Sequence, residues 1–348
     1  MKLQKYFTNL FISIIEEEDS YKLLCKVVKK GKLQDKFIKI FEVKSKDEKL
    51  DKEMEEYLIS MQEKYSYTYI ILLLNSMGQG AIRGVGKEDF EKASVELKSV
   101  RTVKFKTWSA YISFIDLNWI QKIYARVGID LLYSPFGVLY NLLLGYKLKT
   151  QPTLYILNQE ESVTISVFKG DTLYFGAFYK ISKDDVLGSV DIDDWENEEE
   201  ESRVEGLASL DDEENEEDEE ELSNLEDLSE LDGFDMDTQD EEFSDIKENG
   251  DDILSDSQME DVSIEDIELY GRDLEIYKFL NKALKEYYKN DLYESDFIEQ
   301  AVIFDAYDMS QEMMDSIEND LLLDLQMHKI DIGEVVCDLG IREVYGEL

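Results

Sequence analysis

Apolar positions in the first part of the chain change their period twice, and each change marks a new element. Phe11 to Ile15, Tyr21 to Val28 and Leu33 to Val43 are strand-length runs rich in Ile, Val, Phe and Leu, and KKGK between the second and third supplies a hairpin turn. Leu50, Met54, Tyr57, Leu58 and Met61 then recur at helical spacing with charges filling most positions between them, which predicts one buried helix face. YTYIILLLNS, Tyr67 to Ser76, is mostly apolar, as expected of a central strand covered on both faces.

The same order returns later. Thr153 to Leu157, Val163 to Phe168 and Thr172 to Phe178 predict three strands, and Phe297 to Ala306 a fourth. Before that fourth strand, a helix from about Ile267 to Lys289 carries Leu274, Tyr277, Leu280, Leu284 and Tyr287 along one face. A helix from Ser310 to Asn319, a strand-like LLLDLQM and a terminal helix near Ile332 to Val344 complete the chain. Between the two series lie a strand at Ile129 to Tyr133 and an apolar helix to Leu144 that Pro135 opens. Pro135 and Pro152 both sit at this crossing, either as a hinge between the halves or because proline avoids strand and helix interiors.

Charge divides the chain further. Its 348 residues hold 81 Asp and Glu against 37 Lys and Arg, a net charge of −44. Residues 191 to 270 contain 38 acids and 2 bases, so this stretch supplies most of the imbalance. Within it, DDEENEEDEEEL, Asp211 to Leu222, has almost nothing apolar to offset the entropy of ordering, which predicts a disordered insert. The expected organisation is a first half at 1–146, a second half at 147–188 and 265–348, and an acidic disordered insert at 189–264. Such a charge argues against nucleic acid or anionic lipid as a partner held by charge attraction, and favours basic partners.

Chemistry-bearing residues are few. Cys25 and Cys337 lie far apart in core-like patterns, as free thiols of a cytosolic protein do, with neither a disulfide framework nor metal spacing. The single histidine, His328, leaves little from which to build a multi-histidine zinc site or a catalytic triad, and reads as structural. The N-terminal apolar stretch has no small-residue cleavage site and no run reaches spanning length, so a soluble, cytoplasmic protein is expected.

The repeated strand-strand-strand-helix-strand order resembles the duplicated ribonuclease-H-like fold of actin-like ATPases, an α/β class. Within it, VGIDLLYSPFGVLYNLLLG, LYILNQEESVTISVFKGDTLYFG and YKFLNKALKEYYKNDLYESDFIEQAVIFDA are similar to PilM, the actin-like protein of type IV pilus machines, and equally to the cytoplasmic domain of the type II secretion L protein. The resemblance is one of pattern over most of residues 9–188 and 265–345. It implies a cytoplasmic protein peripheral to the bacterial inner membrane that grips the short tail of a single-pass membrane partner. There it would couple a motor ATPase to a membrane platform for pili, secretion or DNA uptake. The secretion L protein carries a transmembrane segment of its own, so the PilM arrangement fits this chain better.

The resemblance also implies where a nucleotide would sit. The family's second phosphate loop runs from an Asp through a Gly to a small hydroxyl residue; here the turn reads Asn158, Gln159, Glu160, Glu161, Ser162, Val163, Thr164. Asn158 could still accept a magnesium-bound water, but Glu160 and Glu161 would set two negative charges against a triphosphate, at roughly 1 kcal/mol per pair in water. Where the family places a Gly-Gly pair against the adenosine, this chain has Asp305, Ala306, Tyr307 and Asp308, and Tyr307 would fill the nucleoside's space. Asn158, Gln159, Ser162, Thr164 and Ala306 are therefore candidates for a degenerate nucleotide site, with no cofactor expected and ATP with magnesium the alternative.

Two other stretches offer candidates. MGQGAIRGVGKEDF, Met77 to Phe90, has the Gly86-Lys87 of a P-loop but Ala81 in place of its first glycine and Glu88 in place of its hydroxyl residue. Its glycines, among them Gly78, Gly80 and Gly84, predict an adaptable loop that could contact a partner. KFKTWSAYISFIDLNWI concentrates Phe105, Trp108, Tyr111, Phe114 and Trp119, which suit either core packing or a peptide groove; Trp108 and Tyr111 are the candidates for partner contact. The expected function is a non-enzymatic actin-like adaptor. An actin-like ATPase that gates assembly, and an acidic protein that captures basic partners, are the alternatives.

Overall fold

Alternation along β1 (Thr8–Glu16) explains why the first sheet is covered twice. Leu10, Ile12 and Ile14 join one buried cluster while Phe11 and Ile15 join another on the opposite face. The computed structural model of the chain describes residues 3–17, 19–43, 49–146, 148–181 and 264–347. The acidic segment expected at 189–264 lies outside the described residues except for its last position, where a helix begins. The described elements all belong to one compact unit, Met1–Ile192 with Ser263–Leu348.

β2 (Ser20–Lys29) and β3 (Lys32–Glu42) continue β1 as an antiparallel meander. The turn between β2 and β3 places Lys30 and Gly31 at φ +54° and +72°, the left-handed pair that a two-residue hairpin needs. Helix α1 (Lys52–Lys64) buries Met54 and Leu58 and is capped by Asp51, whose side chain accepts from the Glu53 amide at 2.9 Å. β4 (Tyr67–Leu73) then runs parallel to β1, with Ile70 to Leu73 buried as the apolar run predicts.

The chain next leaves the sheet. β5 (Gln79–Arg83), α2 (Lys87–Lys92), β6 (Val100–Lys104) and β7 (Trp108–Ser113) build a small antiparallel sheet in the order β5-β7-β6, followed by α3 (Phe114–Ile123). β8 (Leu131–Tyr133) returns beside β4, giving the first large sheet the order β3-β2-β1-β4-β8. α4 (Pro135–Gly145) follows.

The second half repeats this plan with β9 (Thr153–Asn158), β10 (Ser162–Lys169), β11 (Thr172–Lys180), β12 (Gln300–Asp305) and β13 (Asp324–Lys329) in the order β11-β10-β9-β12-β13. Three antiparallel strands are followed in each sheet by two parallel ones. This is the duplicated ribonuclease-H-like arrangement of the actin-like ATPase fold. The α-helices among the described residues of this half are α5 (Ile264–Lys289), α6 (Gln311–Leu321) and α7 (Ile332–Tyr345).

The halves exchange helices. α7 packs on β1, β2 and β4 of the first sheet, while α4 packs on β9 and β10 of the second. The core between the two sheets therefore joins Phe11 and Leu24 to Leu157 and Phe304 through Phe136, Leu139, Val336 and Cys337. Polar groups on the same face of β1 tie α7 in place. Ser13 Oγ donates to the Gly333 carbonyl at 2.8 Å, and Asn9 Nδ2 donates to the Tyr345 hydroxyl at 2.9 Å.

Three expectations need correction. Met77 to Phe90 is not an adaptable loop: it forms β5, a turn and α2, and its glycines are close-approach positions. A Cβ at Gly80 would lie 2.4 Å from the Tyr111 hydroxyl, because that ring crosses the glycine from the paired strand. Positions 78 and 84 are filled in the same way by the side chains of Asp116 and Asp89. Second, the aromatic run divides. Trp108 is fully buried, stacked on Phe105 at 4.0 Å, and belongs to the core rather than to a partner surface, whereas Phe114 and Trp119 are exposed. Third, the inward face of α5 is Ile276, Leu280, Ala283 and Tyr287, with Leu274, Tyr277 and Leu284 only partly covered. The buried face extends toward the helix start through Arg272 and Asp273, two charges that a search for apolar periodicity skips.

Candidate functional site

The ends of β1, β4, β9 and β12 and the start of α7 meet at a cleft of about 430 Å³ between the halves. Glu16, Glu17 and Lys22 come from the first meander, Asn75 from the segment after β4, and Gln159 to Ser162 from the β9–β10 turn. Ala306, Tyr307 and Asp331 complete the wall. Five carboxylates, those of Glu16, Glu17, Glu160, Glu161 and Asp331, thus face one lysine. Burial raises the Tyr21 hydroxyl to about 12, and the nearby Glu16 and Glu161 push in the same direction.

Arg272 of α5 organises the turn from behind. The residue is 4% exposed, and its guanidinium donates to Asn158 Oδ1 at 2.6 Å, to the Glu160 carbonyl at 3.0 Å and to the Gln159 carbonyl. The same group lies 4.3 Å from the centre of the Tyr307 ring. Burial lowers its pKa to about 10, against the pull of Asp273, Tyr307, Asp305 and Glu160, so it stays charged at neutral pH. Asp273, 3.9 Å from Arg272, is raised by burial, and its carboxylate accepts from the Ser310 amide at 2.9 Å.

These contacts engage the residues that resemblance assigned to a nucleotide. Asn158 Nδ2 donates to Asp305 Oδ1 at 2.7 Å while its Oδ1 accepts from Arg272, so both ends of its amide are held within the protein. Gln159 Nε2 donates to Ser162 Oγ at 2.7 Å, and the Gln159 amide donates to the Ser162 carbonyl at 3.0 Å, which closes the turn on itself. Glu161 Oε2 accepts from Asn75 Nδ2 at 2.7 Å and lies 3.6 Å from Lys180 Nζ, so this glutamate bridges the two halves. Gln159, Ser162 and Ala306 reach the cleft; Asn158 lies beneath it, and Thr164 is buried along β10 away from it.

A second surface surrounds α3. None of its residues is buried, and Ile115 and Trp119 are 72% and 43% exposed. Lys122 stands 5.3 Å over the Trp119 ring. Beside the helix a groove of about 310 Å³ is lined by Leu117, Ile120, Tyr124, Ile129 and Leu132. Gly80 and Tyr111 belong instead to the small sheet, Gly84 follows β5, and Gly78 precedes it against Asp116 of α3. His328 packs 4.5 Å from the Tyr146 ring and 5.8 Å from Phe304.

Sequence reasoning missed Arg272, Asn75 and Ile115. The one available signal for Arg272 was the adjacent Arg-Asp pair set in line with the apolar positions of α5. For Ile115 it was a helix of high apolar content with few charges to mark an outer face. Among the described residues no helix is long and apolar enough to cross a membrane, and no group of three His, Cys, Asp or Glu side chains gathers as if to hold a metal ion.

Residues 154–345 match a family model described as "Domain of unknown function (DUF8341)", and residues 7–140 match a second, DUF8569. No curated protein sequence matches the chain. Among solved structures, it is similar to a protein of actin-like ATPase fold and unknown function from Bacteroides thetaiotaomicron, at 10% identity and TM-score 0.44, covering 96% of this chain and 97% of that one. It is similar also to the PilM-PilN type IV pilus biogenesis complex, at 10% identity and TM-score 0.46 with 98% of each chain covered. The ethanolamine utilization protein EutJ from Carboxydothermus hydrogenoformans aligns at 10% identity and TM-score 0.37, over 95% of this chain and 88% of that one.

Proposed function

The chain belongs to the DUF8341 family; from the two surfaces above and the resemblance of its sequence pattern to PilM, we propose a non-enzymatic, peptide-gripping adaptor on an actin-like scaffold. The observation that carries this reading is α3, a helix with no buried residue whose Ile115 and Trp119 stand in water on the face turned away from the groove that Leu117, Ile120 and Tyr124 line. A monomer gains nothing from such a face, and a partner segment that covers it removes apolar surface from water. The partner we propose is the short cytoplasmic tail of a single-pass inner-membrane protein, with a motor ATPase as a further contact. The setting is a pilus, secretion or DNA-uptake machine at the cytoplasmic face of the membrane, to which the protein attaches indirectly.

The cleft supports the same reading by its charge. Glu160, Glu161, Glu16 and Asp331 repel a triphosphate, and Arg272, the cation nearest the turn, is engaged by Asn158 and two carbonyl groups. We therefore propose that the halves serve as a rigid frame. Photo-crosslinking in cells from position 115 should capture the tail of a single-pass membrane protein, and Trp119→Ala should weaken that capture. Titration with MgATP tests the alternative. Thermal stabilisation at micromolar nucleotide would replace the adaptor with an assembly ATPase.

A further inference from the structure

The edge strand β3 combines three properties that the adaptor reading does not use. It pairs with β2 on one side, and among the described residues no strand pairs with its outer side, so a row of backbone donors and acceptors faces outward. Ile38 stands opposite Leu24 and Ile40 opposite Lys22, on the sheet face where α7 lies. α7 covers β1, β2 and β4 but leaves Leu33, Ile38 and Ile40 exposed by 55%, 47% and 57%. Finally, the β2–β3 hairpin is basic in an acidic protein. Residues 22 to 39 hold seven lysines and one acid, Asp35.

Two of those lysines are committed within the molecule: Lys26 to Asp338 at 2.6 Å, and Lys36 to Glu334. Lys29, Lys30, Lys32 and Lys39 remain exposed along the turn and the edge. Lysines and the bulge between Val27 and Val28 are the devices by which an edge refuses its own copy. They do not refuse a strand of opposite charge.

We propose that the β3 edge is a docking site for an extended acidic peptide that adds a strand to the first sheet. Apolar side chains at alternate positions of the peptide lie along Ile38 and Ile40 beside α7, and its acids meet Lys30, Lys32 and Lys39. An anionic membrane offers charge but no backbone groups to pair with the edge, and as a plane it would face the whole acidic protein rather than this hairpin.

The test uses the full-length protein and a synthetic eight-residue peptide in which glutamate alternates with valine. Binding is followed by fluorescence anisotropy at several salt concentrations. The peptide should bind, more weakly as salt rises, and a double charge reversal, Lys32→Glu with Lys39→Glu, should weaken binding about tenfold. A peptide of the same sequence with methylated backbone nitrogens keeps its charge but cannot pair, and should lose binding. No binding of the parent peptide, equal binding of the methylated one, or binding to anionic phosphatidylserine vesicles in place of the peptide would each overturn the proposal. The double variant is surface-exposed, and its circular dichroism should match that of the parent.

Discussion

Replacing Arg272 with alanine is the sharpest test of how the β9–β10 turn is held. The residue is buried, and its guanidinium donates to Asn158 Oδ1, the Gln159 carbonyl and the Glu160 carbonyl and lies 3.9 Å from Asp273. Its removal leaves Asp273 buried with only the amide and side chain of Ser310 to hold it, and leaves three acceptors of the turn without their cation. Removing one partner of a buried pair costs about 3–5 kcal/mol, because the charge left behind stays desolvated. In a domain of this size each kcal/mol lowers the melting temperature by about 2–4 °C, so a fall of roughly 10 °C is expected. Urea unfolding followed by circular dichroism reads the loss as a lower midpoint at unchanged slope. Arg272→Met combined with Asp273→Asn should recover more than half of it, since the orphaned acid has gone. A loss below about 1 kcal/mol for Arg272→Ala would refute the reasoning and make the guanidinium a bystander to the turn.

Other consequences follow from burial and from backbone geometry. Cys25, raised to about 12 by burial, and Cys337, also raised by burial, should resist a maleimide reagent near neutral pH in the folded protein, and both should react in urea. Tyr21 and Tyr179 are raised to about 12, chiefly by burial. The unfolded chain therefore loses these protons first, from about pH 10 upward, and stability should fall as pH rises from there toward 12. A urea midpoint that rises over that window would contradict the sign. Gly84 sits at φ +96°, with a Cβ position 2.2 Å from the Asp89 carboxylate that accepts from the Gly86 amide. Gly84→Ala should cost about 1–3 kcal/mol by thermal unfolding.

The features legible in the sequence are those set by neighbours along the chain. Strand-length runs of Ile, Val, Phe and Leu placed the meanders near Thr8–Glu42 and Thr153–Lys180, and the KKGK turn set the hairpin at Gly31, where the structure shows a positive φ. The repeated order of elements was enough for the duplicated actin-like fold, because both sheets are built from the same local series. Gly80 shows where local reading fails. A glycine in a strand has no side chain to report its period, and the ring that covers it comes from Tyr111, thirty-one positions away.

What only the tertiary structure decided is which groups from distant segments share one buried volume. Asn158 and the glutamates after it were visible as an unpromising phosphate turn. That Arg272 holds the turn from behind, and that Glu161 reaches Asn75 in the other half, depends on packing α5 behind β9 and closing the halves together. The exchange of α4 and α7 between the sheets is decided in the same way. Either helix has an apolar face, and periodicity says that it is buried but not against which sheet. Burial is a property of one residue and its neighbours in sequence hint at it; partnership is a property of two, and the free energy that selects it appears only when both are brought out of water together.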